Sequence, residues 1–225
     1  MEQVFVSWSG GKDCSFACYK AMANGLKVRY LLNMATEDGK MSWTHGLSSE
    51  VLQIQSRAIG IPLVQRQTVS KAYEANFVAV LQELKRKGVT GGVFGDIDME
   101  EHREWVERVC HQAGFTAYLP LWGQDQEKLL GDYIASGFEA VLVAAKADLF
   151  GEEWLGRRID RSFVADLNEL RKTKEITPCG EAGEYHTFVI DGPFFRQRVA
   201  ILETDKTLKD GQRFLEILKC DLKPR

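Results

Sequence analysis

Proline and histidine are scarce in these 225 residues, with five and four copies, and the five cysteines form no CxxC pair. Cys14, Cys18, Cys110, Cys179 and Cys220 are odd in number and scattered, which excludes a disulfide-stapled scaffold and points to reduced thiols. Cys14 and Cys18 lie four apart on an expected helix, but without a second pair they make no zinc set and read as small buried residues. No apolar run approaches the roughly 18 residues that span a bilayer, and Met1 leads directly into a strand-like segment with no secretory pattern. A cytoplasmic protein with no membrane partner is expected. Charge of neither sign dominates. The net charge is -3 and the pI about 5.9, which argues against nucleic acid as a partner. Low-complexity segments, flexible linkers and internal repeats are missing. So are two common nucleotide fingerprints, GxGxxG and GxxxxGK followed by Ser or Thr.

What is present is an ordinary globular composition, 44% hydrophobic and 27% charged, with enough length to bury a core in one large domain or two small ones. Short apolar runs alternate with amphipathic ones. Residues 3–9 read as a buried strand, 13–24 as a helix closed by Gly25, and 28–34 as a strand. Residues 48–60 read as a helix with Ser48 as N-cap, 61–67 as a strand, and 70–88 as a long helix. A strand at 91–96, a helix at 100–113 and a strand and turn at 115–123 follow. This rhythm predicts βαβ units and an α/β fold, a doubly wound, mainly parallel sheet. Ligands of such sheets sit at the carboxyl ends of strands, which here means Ser9 to Cys14, Met34 to Glu37, and Gly95 with Asp96.

After residue 123 the rhythm changes. A helix at 124–136 and a strand at 138–145 precede a charged, mostly helical stretch with a break near Gly151. Strands at 185–191, 198–204 and 213–222 then predict hairpins. The chain therefore divides into a larger α/β domain over 1–123 and a smaller α+β domain over 124–225, packed around a cleft.

Between the first strand and helix stands Ser9-Gly10-Gly11-Lys12-Asp13-Cys14-Ser15. A glycine-rich turn aims backbone N–H groups and the positive end of the helix dipole at one point, which suits phosphate. Gly10 and Gly11 permit positive φ and close approach, Lys12 adds positive charge, and Asp13 caps the helix or helps to hold Mg²⁺.

This loop resembles the SGGxDS pyrophosphate loop of the N-type ATP pyrophosphatases. In these enzymes it grips the β- and γ-phosphates while a substrate oxygen attacks the α-phosphate. Cys14 takes the place of the motif's last Ser, with Ser15 next to it as the alternative hydroxyl. A second segment, PCGEAGEYHTFVIDGPFF over 178–195, resembles the GExGEFHT stretch of the diphthine ammonia ligase family, also called the diphthamide synthase or ATP-binding domain 4 family. GIPL at 60–63, GDI at 95–97, PLW at 120–122 and His45 extend the likeness over essentially the whole chain. Such membership implies an adenine nucleotide alpha hydrolase-like, HUP-type fold, with ATP and Mg²⁺ as cofactors.

The residues accord with that chemistry. Glu181, Glu184 and His186, on a glycine-broken loop before a strand, can receive ammonium, hold Mg²⁺ or accept a proton from an attacking amine. Asp96 emerges at the ligand edge of the sheet, where it can hold metal or position ribose and phosphate. Met34 and His45 are expected near the nucleotide. His102 and His111 fall inside a helix and read as structural, and Arg157 to Arg161 read as a solvated face. The resemblance implies ATP-dependent amidation of diphthine, a modified histidine on elongation factor 2, with free ammonium as nitrogen source. Two rival readings share the fold: tRNA thiolation, disfavoured by the acidic balance and the lack of CxxC, and a non-catalytic ATP or AMP sensor. Assembly into a homo-oligomer is compatible with all of this.

Overall fold

Val4, Phe5 and Val6 are fully buried, and successive side chains of a strand point to opposite faces. Such a segment needs cover on both sides. In the computed structural model, which describes residues 1–43 and 46–225, they form the centre of β1 (Gln3–Ser7). With β2 (Lys27–Ala35), β3 (Leu63–Gln67), β4 (Gly91–Val93) and β5 (Thr116–Tyr118), it makes a five-stranded sheet in the order β3-β2-β1-β4-β5. Each neighbouring pair is parallel, so every connection must cross over. Four helices do this: α1 (Lys12–Ala23), α2 (Ser49–Ile59), α3 (Tyr73–Arg86) and α4 (Glu100–Ala113).

The cover divides by side-chain parity. Val4, Val6 and Leu31 join one apolar cluster with Phe16 and Ala17 of α1 and Leu52 of α2. Phe5, Leu32 and Met34 join the other with Phe77 and Leu81 of α3 and Val109 of α4. A strand buried on both faces reads as an unbroken apolar run rather than an alternating one, as VFV does here. From β1 the chain moves first towards β2 and later returns to β4 on the other side. The sheet's switch point therefore lies between β1 and β4, where ligands of open α/β sheets bind.

The second half builds an antiparallel sheet from β6 (Glu139–Lys146), β7 (Tyr185–Asp191), β8 (Arg198–Lys209) and β9 (Gln212–Lys223), in the order β7-β6-β9-β8. It is accompanied by α5 (Gln126–Ala135) and α6 (Arg161–Leu170). The first apolar cluster continues into this half. Phe16 of α1 meets Tyr133 and Phe138 edge-on at 5.8 and 6.1 Å. The Val189 amide of β7 donates to the Gly10 carbonyl at 3.0 Å. The Gln55 amide, fully buried, donates to the Gly10 and Val189 carbonyls at 3.0 and 2.7 Å, while its oxygen accepts from the Trp8 indole at 2.9 Å. One side chain thus joins α2, the loop after β1 and β7.

Two expectations are corrected here. The stretch expected to be mostly helical is helical only at Glu152–Trp154 and in α6; its remainder packs as loop, with Phe150 and Leu155 buried. β8 and β9 are also longer than expected, twelve residues each, because the turn at Asp210 and Gly211, with φ of 50° and 75°, lets both strands run on to its edge.

Candidate functional site

Past β1 the chain turns through Ser9, Gly10 and Gly11 into α1. Gly10 has φ +85°, and a Cβ there would stand 2.6 Å from the Leu52 side chain, so only glycine suits the position. Gly11, the N-cap of α1, has no side chain to offer its first turn; Thr187 takes the Lys12 amide, and the positive end of the dipole faces the loop, where it suits an anion. Gly95, after β4, allows a second close approach. A Cβ on it would lie 2.8 Å from the Asp13 carbonyl carbon and the Cys14 amide nitrogen. The loop after β4 therefore rests directly on the first turn of α1.

These two loops, with the end of β2, form a cleft of about 200 Å³. Of the residues expected at a site, it brings together Ser9, Asp13, Cys14, Met34, Gly95, Asp96 and Glu181. A second cavity of about 490 Å³ adjoins it and contains His186. The two share Ser7, Trp43, Tyr73, Asp96 and His102 as walls.

Other expected residues lie elsewhere. Lys12 is 3% exposed. Its ammonium contacts both Asp13 oxygens at 2.9 Å, donates to the Cys179 carbonyl and lies 5.2 Å from the centre of the Tyr185 ring. Burial opposes its charge, but the Asp13 carboxylate and neighbouring groups outweigh that and raise its pKa. Its backbone amide donates to Thr187 Oγ1 at 2.9 Å. Lys12 thus ties the loop to the second half of the chain, and its ammonium does not line the cleft. Gly10 and Gly11 are buried beneath it. Ser15 is also fully buried, and its Oγ has no partner among the described residues. Of the two candidates to stand in for the motif's hydroxyl, Cys14 is the one at the cleft. Burial raises its pKa, so it is a thiol, held by donation to the Gly11 carbonyl at 3.2 Å. Glu184, 3% exposed, accepts from the Thr177 amide at 2.6 Å and from its hydroxyl at 3.1 Å. Its carboxylate braces the 177–184 segment. His45 lies outside the described residues.

The braced segment carries Glu181 into the cleft. Glu181 accepts from the Ile97 amide at 2.9 Å, and burial, with the nearby Asp13 charge, pushes its pKa up to about 7. Across from it, His102 Nδ1 lies 3.3 Å from Asp96 Oδ1, and this contact raises the imidazole's pKa. His186 goes the other way. Burial and the Lys12 charge push it down to about 4, leaving a neutral ring at pH 7. His102 was read as structural from its helix, yet it lines both cavities. The signal for it is its place in the first turn of α4, since helices following parallel strands start at the ligand edge of the sheet.

The expected metal residues, Asp13 and Asp96, line the same cleft. Among the described residues no three His, Cys, Asp or Glu side chains assemble as a metal cage. Mg²⁺ needs no such cage, because one or two carboxylates suffice when phosphates and water complete its octahedron. The donor set fits a metal that arrives with a nucleotide.

Among the described residues no helix is long and apolar enough to cross a membrane. Comparison with known proteins covers both halves. The diphthamide synthase N-terminal domain family matches residues 2–117, and the diphthamide synthase C-terminal domain family matches residues 125–222. A diphthine--ammonia ligase of Schizosaccharomyces pombe is 30% identical over 94% of this chain, which spans 38% of that protein's length. One of Rattus norvegicus is 26% identical over 93% of this chain and 86% of its own length. A solved structure described as a predicted subunit of tRNA methyltransferase, from Methanocaldococcus jannaschii, superposes with a TM-score of 0.47 at 15% identity, covering 84% of this chain and 97% of that one. With the loop at Ser9 inside one matched domain and the braced Glu181 segment inside the other, the chain belongs to the diphthamide synthase family.

Proposed function

We propose that this chain is an ATP-dependent, AMP-forming ligase that converts the carboxylate of diphthine on elongation factor 2 into an amide, acting in the cytoplasm. The observation that carries the reading is the convergence of the first turn of α1 and Glu181, from opposite halves of the chain, on one cleft. Residues 1–123 hold the nucleotide, and residues 124–225 supply the side from which acceptor and ammonia enter.

In the first step an acceptor carboxylate oxygen attacks the α-phosphorus of ATP, and pyrophosphate leaves. The α1 N-terminus and the Cys14 thiol receive the phosphates, while Met34 lies on the nucleotide side of the cleft. Asp96 and Asp13 would hold Mg²⁺, which supplies positive charge for the leaving pyrophosphate. In the second step ammonia attacks the acyl carbon, and AMP leaves with the electron pair of the broken C–O bond. Ammonium must lose a proton first. Glu181 suits that task, because a general base is most effective when its pKa lies near the working pH, and burial sets this one at about 7. Glu184, fixed on Thr177, holds Glu181 in place through the loop they share.

The test is release of pyrophosphate and formation of amide from ATP, Mg²⁺, ammonium and elongation factor 2 bearing diphthine. Glu181→Gln should bind ATP as tightly as the wild type and lose amide formation by about a hundredfold or more, the usual contribution of a proton-transfer group. A protein that binds ATP but never releases pyrophosphate with this acceptor would overturn the reading.

A further inference from the structure

The five tryptophans of this chain have different surroundings. Trp8 is buried, with its indole N–H on Gln55. Trp122 and Trp154 are each covered by a guanidinium of the chain itself, Arg103 at 5.2 Å and Arg157 at 4.5 Å. Trp43 and Trp105 line the larger cavity instead, and among the described residues no lysine or arginine lies over either ring. Tyr73 stands between them, its centroid 5.9 Å from each, with interplanar angles of 53° and 51°. Tyr73 is itself stacked on Phe77 at 6.4 Å with 11° between the planes, and the two tryptophans tilt away from that stack as the walls of a cup. Trp43 remains 38% exposed at its rim.

An aromatic face attracts a cation within about 6 Å of its centre, and several faces around one cavity suit an onium group. A primary ammonium or a guanidinium would also need hydrogen-bond acceptors. This cup offers the carboxylate of Asp96, which His102 already engages. A quaternary ammonium donates no hydrogen bonds and needs only the ring faces.

We propose that Trp43, Tyr73 and Trp105 form a binding site for a quaternary ammonium group that the acceptor carries beside the carboxylate to be activated. This rests on the ligase reading above, and diphthine has this chemistry: the carbon bearing its carboxylate also bears a trimethylammonium group. The two cavities share Trp43, Tyr73 and Asp96, so a cation in the cup leaves its carboxylate directed to the phosphate loop. The cup selects the charged, methylated acceptor and orients it for attack.

Two small acids separate charge from shape. Trimethylammonioacetate and tert-butylacetate have the same outline, and only the first has a cationic head. Titration of the whole protein, followed by tryptophan fluorescence and by NMR of the ligand, should show the cationic acid binding about tenfold more tightly. Trp43→Leu and Trp105→Leu should abolish that preference, the Trp105 variant with ATP affinity unchanged because that ring lines the larger cavity alone, whereas Trp122→Leu should keep it. Trp43, at the rim, is the variant least exposed to a folding defect. Equal binding of the two acids, no saturable binding of the cation, or a preference that survives in Trp43→Leu overturns the proposal. Absence of ATP binding or pyrophosphate release in the wild type removes the ligase reading instead, and the titration still decides the cup.

Discussion

A thiol faces the cleft at position 14, where the related loop has a hydroxyl. It already donates to the Gly11 carbonyl, and sulfur is a weaker partner for phosphate than oxygen. Cys14→Ser should therefore keep the fold and bind ATP at least as tightly as the wild type, which calorimetric titration would measure. Ser15 gives the opposite case. Its hydroxyl is buried and unpartnered among the described residues, and such a group costs about 1–3 kcal/mol of desolvation. Ser15→Ala should leave ATP affinity unchanged and hold or raise the melting temperature; a clear loss of ATP binding would return the hydroxyl's role to Ser15. Glu181 makes a pH prediction. Its folded pKa of about 7 lies above the ordinary value near 4.5, so the folded state holds this proton more tightly than the unfolded state. The stability this contributes is fully present below about pH 4.5 and is lost as pH rises through 7. Glu181→Gln, neutral throughout, should match the wild type near pH 4.5 and melt a few degrees higher at pH 8. Measured at constant free ammonia, amide formation by the wild type should rise with pH through about 7.

At the scale of elements, loop contacts decide more than helix or strand propensity. The backbone of α1 lies so close to Gly95 that an added Cβ would fall 2.8 Å from main-chain atoms, which cannot swing aside as a side-chain end can. Gly95→Ala should cost about 1–3 kcal/mol, as overpacking does, and should weaken ATP binding by shifting the first turn of α1. Thermal melts and ATP titrations would check both, and a neutral result would mean that the two loops can separate freely. That approach was not legible in the sequence, where Gly95 reads only as a ligand position. The elements themselves were largely legible. Ser48 caps α2 by accepting from the Val51 amide at 3.2 Å, Gly60 and Gly114 close α2 and α4 in the left-handed region, and VFV takes its place as the central strand. Local signals sufficed for these. The direction of Lys12 was not local, since its ammonium is drawn to a carbonyl at Cys179, over 160 residues away.

The whole molecule depends on that direction. Phosphate-loop chemistry suggested a lysine aimed at the nucleotide, and the sequence could not show that the second half of the chain would supply Cys179, Tyr185 and Thr187 around it. Glu181, Glu184 and His186 stand together in the sequence, but the packed halves place them apart, Glu181 in the cleft, Glu184 on Thr177 and His186 in the adjoining cavity. One apolar cluster runs through both sheets, and Lys12, Gln55 and Thr187 fasten the loop after β1 across the junction. The two halves should therefore unfold together rather than as separate domains. Lys12→Met tests this. Losing the ammonium leaves the Asp13 carboxylate without its counter-charge beside Glu181, and breaking such a pair costs about 3 kcal/mol. At this chain length that lowers the melting temperature by roughly 6–12 °C. Asp13→Asn in the same chain should recover part of the loss, because no uncompensated charge then remains. Circular dichroism and tryptophan fluorescence should report one coincident transition in all three proteins. Two resolved transitions in the wild type would show that the shared core does not couple the sheets, and equal stability of Lys12→Met and wild type would show that Lys12 is not the fastening between them.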